Sequence, residues 1–321
     1  MQAEWFGRFL DLSKGTPSED TYRRVFEALD PKVFERCFSS WVSSVAKILP
    51  GEVVAIDGKT IRNSGKGSER PLHLVSAWAA ANGLVLGQVA AEEKSNEITA
   101  IPVLIEALAL QGCIVTIDAM GCQKEIAKAI VNKGADYLLA IKDNQPTLHR
   151  EVREYFDAYR ADTLVDASMT LYEEADKGHG RLEIRRCFTT TTVNWFEDVK
   201  EWSGLKSICM IESERTIKGK TSIETRCYIS SLPRPHPSKV LAATRAHWGV
   251  ENRLHWCLDV TFGEDQANIR LRTMAENFSV IRRIAMNTLR RMPSFNGNLA
   301  QTGRRAAFNH EIRENLLNSI T

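Results

Sequence analysis

Two carboxylates directly follow apolar runs in this sequence. Residues 53–56 lead into Asp57 of VVAIDGKTIR, and residues 113–117 lead into Asp118 of CIVTIDAMG. Runs rich in β-branched residues predict buried strands. An Asp before a Gly is also common in turns, so Asp57 alone would be explained equally well by a turn. The repeated arrangement favours two buried strands that each end in a carboxylate.

A third set of polar residues lies on a helix predicted over about 238–258. His247, Glu251, His255 and Asp259 are spaced four apart, which places them on one helix face. Ion pairs on a helix surface would account for this set, and the spacing of the two histidines is not a recognised zinc pattern. The alternative is that Glu251 joins Asp57 and Asp118 in one site.

Three carboxylates that meet in an apolar setting would suit Mg²⁺ or Mn²⁺, because both ions prefer hard oxygen ligands. Two ions ~3.5 to 4 Å apart can activate a water or a 3′-hydroxyl and stabilise the leaving oxygen of a phosphodiester. Asp57, Asp118 and Glu251 are therefore predicted to be catalytic and to bind two Mg²⁺ (or Mn²⁺) ions. A rigid strand is a suitable place for such a ligand.

The elements that must position these acids follow the order βββαβαβα. The first three strands are predicted over 51–57, 71–80 and 83–91, with a hairpin at Asn82-Gly83, and the next two over 113–117 and 136–141. Helical patterns occur near 97–110, near 122–133 and from Pro146. This order predicts an α/β fold with a ribonuclease H-like mixed sheet and flanking helices, in which the first and fourth strands are neighbours.

The chain is expected to divide into five segments. The pattern is helical at first, then that of the mixed sheet, then strand-rich again up to the joint LPRPHPSK, and helical afterwards. The predicted segments are an N-terminal helical segment (1–48), the first part of the catalytic core (49–164), an inserted β unit (165–236), the second part of the core (237–292) and a weakly ordered tail with one short helix (293–321).

The composition suits a globular protein. The 321 residues are 43% hydrophobic and 26% charged, with a net charge of +2, which does not by itself indicate a nucleic-acid partner. Seven scattered cysteines form neither a disulfide framework nor a Cys-x-x-Cys zinc pair. The sequence has no apolar run of membrane-spanning length, and its first residues include an acid where a signal peptide would have cations. We expect a cytoplasmic protein without a membrane partner, associated with the nucleoid when bound to DNA.

Six long motifs, in order along about residues 20 to 292, resemble a known family. They are AIDGKTIR, TIDAMGCQ, LLAIKDNQPTL, GHGRLEIRR, HWGVENRLHWCLDVTFGED and ENFSVIRRIAMNTLRR. The chain resembles the H-repeat-associated insertion-sequence transposases, a group in the DDE transposase superfamily. The resemblance implies metal-dependent DNA cleavage and strand transfer at the ends of a mobile element, with Asp57, Asp118 and Glu251 as the metal-binding triad and the β unit helping to hold the transposon end.

Two features depart from the family pattern. The wider superfamily has a Tyr, an Arg and a Lys around the third acid, where this chain has Thr244, His247 and Leu258. His247 could supply part of that phosphate-binding role. Related chains usually begin with a further helical segment before the point that matches Gln2.

Local groups of cations are candidates for binding double-stranded DNA, both the transposon ends and the target. A solvated polar surface is the alternative explanation for each group. The predicted DNA-binding residues are Lys59, Arg62, Lys142, Arg181, Arg185, Arg186 and His247. Lys66, Arg70, Asn144 and the cations at 282, 283, 290 and 291 are further candidates, whereas His179 is expected to be a turn residue.

The main hypothesis is therefore a DDE-type transposase. The alternatives are a nuclease that cleaves without strand transfer and a catalytically inert or truncated DNA-binding remnant that acts as a repressor. Convergence of the three acids would favour the enzymes, because carboxylates more than about 8 Å apart could not share a metal pair of the spacing given above. The sequence does not decide whether the protein forms a homodimer on DNA or whether a hairpin intermediate forms. It also leaves open the transposon end sequence and the target site.

Overall fold

The computed structural model describes residues 2–65, 70–92, 97–178, 180–293, 295 and 297–318.

The N-terminal segment consists of three helices. The helices are α1 (Gln2–Phe6), α2 (Glu19–Ala28) and α3 (Pro31–Val45). Ser18 caps α2 by accepting from the N–H of Thr21, and Asp30 caps α3 ahead of a proline in its first turn. Phe38 and Val42 of α3 are buried against the sheet.

One nine-stranded sheet forms the centre of the molecule, in the order β3-β2-β1-β4-β5-β9-β8-β7-β6. Strands β1, β4 and β5 are parallel, and the other neighbours are antiparallel. The strands are β1 (Val53–Thr60), β2 (His73–Ala79), β3 (Leu84–Ala90), β4 (Ile114–Ile117), β5 (Asp136–Ile141), β6 (Thr170–Gly178), β7 (Arg181–Thr190), β8 (Ser207–Ile217) and β9 (Lys220–Ser230). The predicted ribonuclease H-like arrangement is confirmed, including the β1–β4 neighbours.

The remaining helices pack on the sheet or on the helices that cover it, and the strands at the centre of the sheet are largely buried. These helices are α4 (Glu97–Ala107), α5 (Lys124–Asn132), α6 (Pro146–Arg160), α7 (Pro237–Val250), α8 (Arg272–Arg291), α9 (Leu299–Phe308) and α10 (His310–Asn318). In the described part of the chain, no helix combines the length and apolar character needed to cross a membrane.

The inserted β unit continues the same sheet. Leu138 of β5 pairs with Ser230 of β9, and β9, β8, β7 and β6 then follow as an antiparallel meander. The buried Cys187, Cys209 and Tyr228 of this unit pack beneath α7. The unit is therefore rigidly joined to the strands that carry the two aspartates.

Three local expectations need correction. Asp57 lies inside β1, which continues to Thr60, because β2 keeps pairing with β1 beyond the point where β4 ends. The helix predicted over 238–258 is α-helical only to Val250 and continues as two wider π-helical turns, Glu251–His255 and Cys257–Thr261. The tail forms two helices rather than one, since Leu299, Ala306 and Leu316 are buried against the body.

Candidate active site

Asp57 and Asp118 are brought together by the register of two parallel strands. The β1–β4 pairing ends at Ile56 opposite Ile117, so the next residue on each strand is an aspartate. Neighbouring strands lie about 4.8 Å apart, and residues in register point to the same face of the sheet. Oδ1 of Asp57 accepts from the N–H of Gly58 at 2.9 Å, and Asp118 accepts from the N–H of Gly121 at 3.4 Å.

Burial and mutual repulsion raise the pKa of both aspartates. The pKa of Asp57 is raised to about 7, chiefly by burial; the N–H of Gly58 opposes the rise, and the charges of Glu97, Asp118 and Glu251 contribute to it. Burial and the charge of Glu97 also raise the pKa of Asp118. A perturbed pair of acids in a cleft is typical of a functional site, and a bound cation would relieve this repulsion.

Glu251 lies near this pair, on the first π-helical turn. Its side chain is exposed, and its charge is one of those that raise the pKa of Asp57. His255 of the same turn approaches Asp57, with 3.7 Å between Nδ1 and Oδ2. Burial lowers the pKa of His255 to about 3, and the charges of Arg283 and Lys59 add to this effect, so the imidazole is neutral at pH 7. π-Helical turns are rare and are often found at functional sites.

The donor types fit a divalent cation. Asp57, Asp118 and Glu251 offer only hard oxygen ligands, which suit Mg²⁺ or Mn²⁺. Within residues 2–318, apart from the gaps given above, no three His, Cys, Asp or Glu side chains are close enough together to hold an ion. The structure therefore places the two aspartates side by side at one edge of the sheet, and Glu251 lies near them without completing an ion site.

Lys59 occupies a buried ion-pair network. Its ammonium is 7% exposed and lies 2.7 Å from Asp259, 3.0 Å from Asp265 and 3.5 Å from Glu264. Arg62 lies at the rim, 84% exposed, 3.3 Å from Asp265. Of these two predicted DNA contacts, only Arg62 faces solvent, and Lys59 ties β1 to the segment that follows Glu251.

A second buried pair extends this network into α8. Arg283 and Glu264 are both fully buried and lie 3.1 Å apart, and Arg283 also donates to the carbonyl of Ser279. Arg290 of α8 donates to the carbonyls of Gly83 and Arg253. These arginines hold the π-helical segment in place, which is a structural role for two of the candidate cations.

Lys142 and Asn144 lie next to Asp118, as their position after β5 suggested. Lys142 is exposed, and its charge opposes the rise in the pKa of Asp118. The amide of Asn144 donates to the carbonyl of Ala119, so Asn144 orders the turn that follows Asp118. Lys142 is therefore an exposed cation beside Asp118, and Asn144 is engaged within the protein.

A cavity of about 500 Å³ opens beside Asp118, between β4, β5, β9 and α7. Its walls include Lys142, Tyr228, His247 and Trp248, and the guanidinium of Arg226 stacks 4.4 Å from the centre of the Trp248 ring. His247 is buried, with Nδ1 3.1 Å from Oγ1 of Thr116, and burial lowers its pKa to about 4. His247 is thus neutral at pH 7 and offers a hydrogen bond rather than a charge.

The three arginines of the β unit that were predicted to bind DNA lie in a ladder of ion pairs. Arg181 is partly exposed and lies 3.5 Å from Glu183. Arg185 contacts Glu183 at 2.7 Å and Glu174 at 3.4 Å. The carboxylates around Arg186 are Glu173, Glu212 and Glu214, at 2.6 to 3.0 Å. Arg181 has the most exposed side chain of the three. Lys66 and His179 lie outside the described residues.

Glu97 and His73 lie near the paired aspartates, and sequence reasoning missed them. Glu97 begins α4, and Oε1 lies 2.7 Å from Nε2 of His73, a residue of β2. The chain has several acids after β3, at 92, 93 and 97, so no local pattern distinguishes Glu97. A carboxylate at the start of the helix that follows β3 was the available signal.

Comparisons with known proteins identify the family of this chain. The family described as transposase DDE domain matches residues 49–288, and a family described as associated with it matches residues 1–42. "Putative transposase YncI" of Escherichia coli O157:H7 is 41% identical over 99% of this chain and 82% of its own length. "H repeat-associated putative transposase YhhI" of Escherichia coli K12 is 39% identical over 98% of this chain and 84% of its own length.

One solved structure is a distant neighbour. A cryo-EM structure of a piggyBac transposase synaptic complex with hairpin DNA has a TM-score of 0.38 and 11% identity, covering 92% of this chain and 65% of that chain. The fold assignment comes instead from the strand order, and the family from the sequence matches. With the paired aspartates at the end of its parallel strands and a match over three quarters of its length, this chain belongs to the transposase DDE domain family.

Proposed function

We propose that this protein cleaves DNA at the ends of an insertion sequence and transfers the cleaved strand to a target, with two Mg²⁺ or Mn²⁺ ions held by Asp57, Asp118 and Glu251. The observation that supports it best is the in-register pair of aspartates, each with a raised pKa, at the end of the β1–β4 pairing. Family membership supplies the reaction class.

Each part of the proposed centre has a separate task. When bound, two divalent ions would activate a water or a 3′-hydroxyl and stabilise the leaving oxygen of the phosphodiester. Asp57 and Asp118 are held by a rigid sheet, so their oxygens need little reorganisation to bind a cation. Because Asp57 retains a proton up to about pH 7, it must lose that proton to bind. Lys59 fixes β1 against the segment that brings Glu251 to the site.

Double-stranded DNA would approach along the cavity beside Asp118. Lys142 and Arg62 are exposed cations on either side of the aspartate pair, and Arg181 is partly exposed further out on the β unit. Contacts from such side chains to phosphates fix the position of DNA without reading its sequence. Trp248 and Arg226 present a flat surface in the same cavity, which suits contact with a base or sugar.

A second candidate is a catalytically inert DNA-binding protein that represses its own element. It is favoured by the observation that the described acids do not close around an ion. The buried, uncharged His247 also gives less phosphate binding than an arginine would.

A cleavage assay separates the candidates. The purified chain is mixed with linear DNA that carries the element ends and a supercoiled target, with Mg²⁺ or with EDTA, and Asp57→Asn serves as the inactive control. The transposase predicts Mg²⁺-dependent nicks at the ends followed by joined products. Nicks without joining would indicate a nuclease, and a shifted but uncut DNA would indicate the inert binding protein.

A further inference from the structure

A second cleft runs along α7, apart from the cavity beside Asp118. Its volume is about 1090 Å³, and it lies between one side of α7 and the starts of β1, β4 and β5. Among the described residues, none lines both this cleft and the cavity beside Asp118. The three strands are parallel, and Asp57 and Asp118 lie towards their other end. This surface, which we name the α7 cleft, is therefore separate from the aspartate pair.

One stripe of α7 lines the cleft with small side chains between two cations. In order along the chain, the stripe consists of Lys239, Ala242, Ala246, Gly249 and Arg253. Steps of three or four residues place these side chains on one side of a helix. The helix from Lys239 to Val250 spans about 16 Å, and Arg253 lies on the next turn, just after Glu251. The α7 cleft thus leads away from the residues of the proposed centre.

Three cations of the α7 cleft have no ion pair with any described residue. They are Arg234, Lys239 and Arg253, and all three are exposed. Arg245 also lines the cleft, but it is paired with Glu174 at 2.8 Å. The arginines of the β unit that were predicted to bind DNA each have a carboxylate partner as well. The charge of the three cleft cations is therefore available to a partner.

The two acids of the α7 cleft are engaged within the protein. Glu52 accepts from the N–H of Ala81 at 2.8 Å, and Asp136 accepts from the hydroxyl of Ser231 at 2.7 Å. Glu52 is also buried. Four cations and two acids line the cleft, so its charge is positive although the whole chain is nearly neutral.

Trp78 adds an unmet hydrogen-bond donor to the wall of the cleft. Its side chain is fully buried, and its Nε1 has no partner among the described residues. A buried indole N–H usually has one. The guanidinium of Arg290 lies 4.6 Å from the centre of the Trp78 ring and donates to the carbonyl of Arg253. A partner of this cleft should therefore bring negative charge and acceptor oxygens.

We propose that the α7 cleft binds the sugar-phosphate backbone of one DNA strand, through Arg234, Lys239 and Arg253. This inference rests on the proposed function, which supplies DNA as the polyanion. A phosphate backbone carries both acceptor oxygens and regularly spaced charge, and the small side chains of α7 leave room for its sugars. Ligand pockets for small molecules rarely exceed about 1,000 Å³, so an extended chain suits the cleft better. About 16 Å corresponds to about five phosphates of one strand.

The salt dependence of DNA binding tests the proposal. Duplex DNA without the element ends is titrated with the full chain in EDTA from 50 to 300 mM salt, so that neither end recognition nor cleavage contributes. Arg234→Ala/Lys239→Ala should lower the slope of log affinity against log salt by about two units, and affinity at 100 mM salt by about tenfold or more. The charge-preserving variant Arg234→Lys/Lys239→Arg should restore the wild-type slope. Lys32→Ala/Lys128→Ala, which removes two exposed cations outside the cleft, is the matched control and should bind like wild type.

Alkylation tests the position of the DNA directly. Ala242 is exposed in the middle of the stripe, so Ala242→Cys introduces a thiol there without changing the charge. The native Cys37 of α3 is exposed outside the cleft and serves as the internal reference. Saturating DNA should slow alkylation of the introduced thiol by about fivefold or more and leave the rate at Cys37 unchanged, as followed by mass spectrometry.

The outcomes separate this proposal from the proposed function. A wild-type slope for Arg234→Ala/Lys239→Ala, an equal loss in the control, or an unprotected thiol in Ala242→Cys would overturn the proposal. If Arg234→Ala/Lys239→Ala converts a dimer into a monomer in light scattering and keeps the slope, the cleft is an interface between two copies and the DNA assignment is wrong. Both tests are made without Mg²⁺, so a chain that binds DNA in the cleft but does not cleave it contradicts only the proposed function.

Discussion

The ammonium of Lys59 lies 2.7 Å from Oδ1 of Asp259, so the strand that carries Asp57 is tied directly to the π-helical segment that follows Glu251. Two further carboxylates, Glu264 and Asp265, complete the surroundings of this lysine. Together with Arg283 and Arg290, this buried lysine thus holds the two halves of the proposed centre in place.

Lys59→Met should destabilise the fold strongly. Removing one partner of a buried ion pair costs about 3 to 5 kcal/mol, because the remaining charges stay buried without compensation. Arg62→Met, which removes an exposed cation near the same Asp265, should cost less than about 1 kcal/mol. Urea unfolding of both variants measures the difference. If Lys59→Met unfolds like wild type and instead loses DNA affinity, Lys59 is a phosphate contact and its network role is wrong.

Asp57→Asn should stabilise the metal-free protein at pH 8. The pKa of Asp57 is raised from 3.8 to about 7 in the fold, so its favourable contribution is complete below about pH 4 and is lost as the pH rises through 7. In EDTA, Asp57→Asn should increase the free energy of unfolding at pH 8 by about 1 to 4 kcal/mol more than it does at pH 4. The exposed Asp143 gives the control, Asp143→Asn. An equal effect of Asp57→Asn at both pH values would contradict the raised pKa.

Stabilisation by Mg²⁺ should grow between pH 6 and pH 8. The cation competes with a proton for Asp57, so its apparent affinity should rise up to about tenfold per pH unit until Asp57 is ionised near pH 7. His247 and His255, with pKa values lowered to about 4 and about 3, stay neutral over this range. Calorimetry in two buffers of different ionisation enthalpy would count the released protons. Binding that is independent of pH would exclude Asp57 as a ligand.

The arginines of the β unit should separate into two classes. If Arg181 contacts a phosphate, Arg181→Ala should reduce the slope of log affinity against log salt by about one unit. Arg186→Ala should leave the slope nearly unchanged and lower stability, because Arg186 is surrounded by Glu173, Glu212 and Glu214. DNA binding measured from 50 to 300 mM salt distinguishes these results. A lower slope for Arg186→Ala alone would show that its ion pairs open to bind DNA.

The sequence predicted the parts of the site that depend on local patterns. Apolar runs that end in Asp57 and Asp118, and the order βββαβαβα, were sufficient to place the two acids on neighbouring strands. Helical spacing also identified the element that carries Glu251. Its π-helical winding was missed, because an extra residue per turn leaves no local signature in the sequence.

The remaining features depend on contacts between distant residues. Lys59 looked like a DNA contact in a polar loop, since its partners Asp259 and Asp265 are about 200 residues away. The second helix of the tail was missed for the same reason: α10 packs against Trp5 of α1, and Arg8, which follows α1, makes two hydrogen bonds to Glu314. The position of Glu97 becomes apparent only from its contacts with Gly58 and His73 in the folded chain. Each of these residues is ordinary until the fold supplies its partner.

The central claim is that Asp57, Asp118 and Glu251 carry the reaction. The most direct measurement is Mg²⁺-dependent cleavage of DNA bearing the element ends by Asp57→Asn, Asp118→Asn, Glu251→Gln and Asp265→Asn, with DNA affinity and melting temperature measured in parallel. Each of the first three should nearly abolish cleavage while DNA binding and fold persist, and Asp265→Asn should reduce it less. Normal cleavage by Glu251→Gln together with its loss in Asp265→Asn would contradict the account and move the third acid to the turn after the helix.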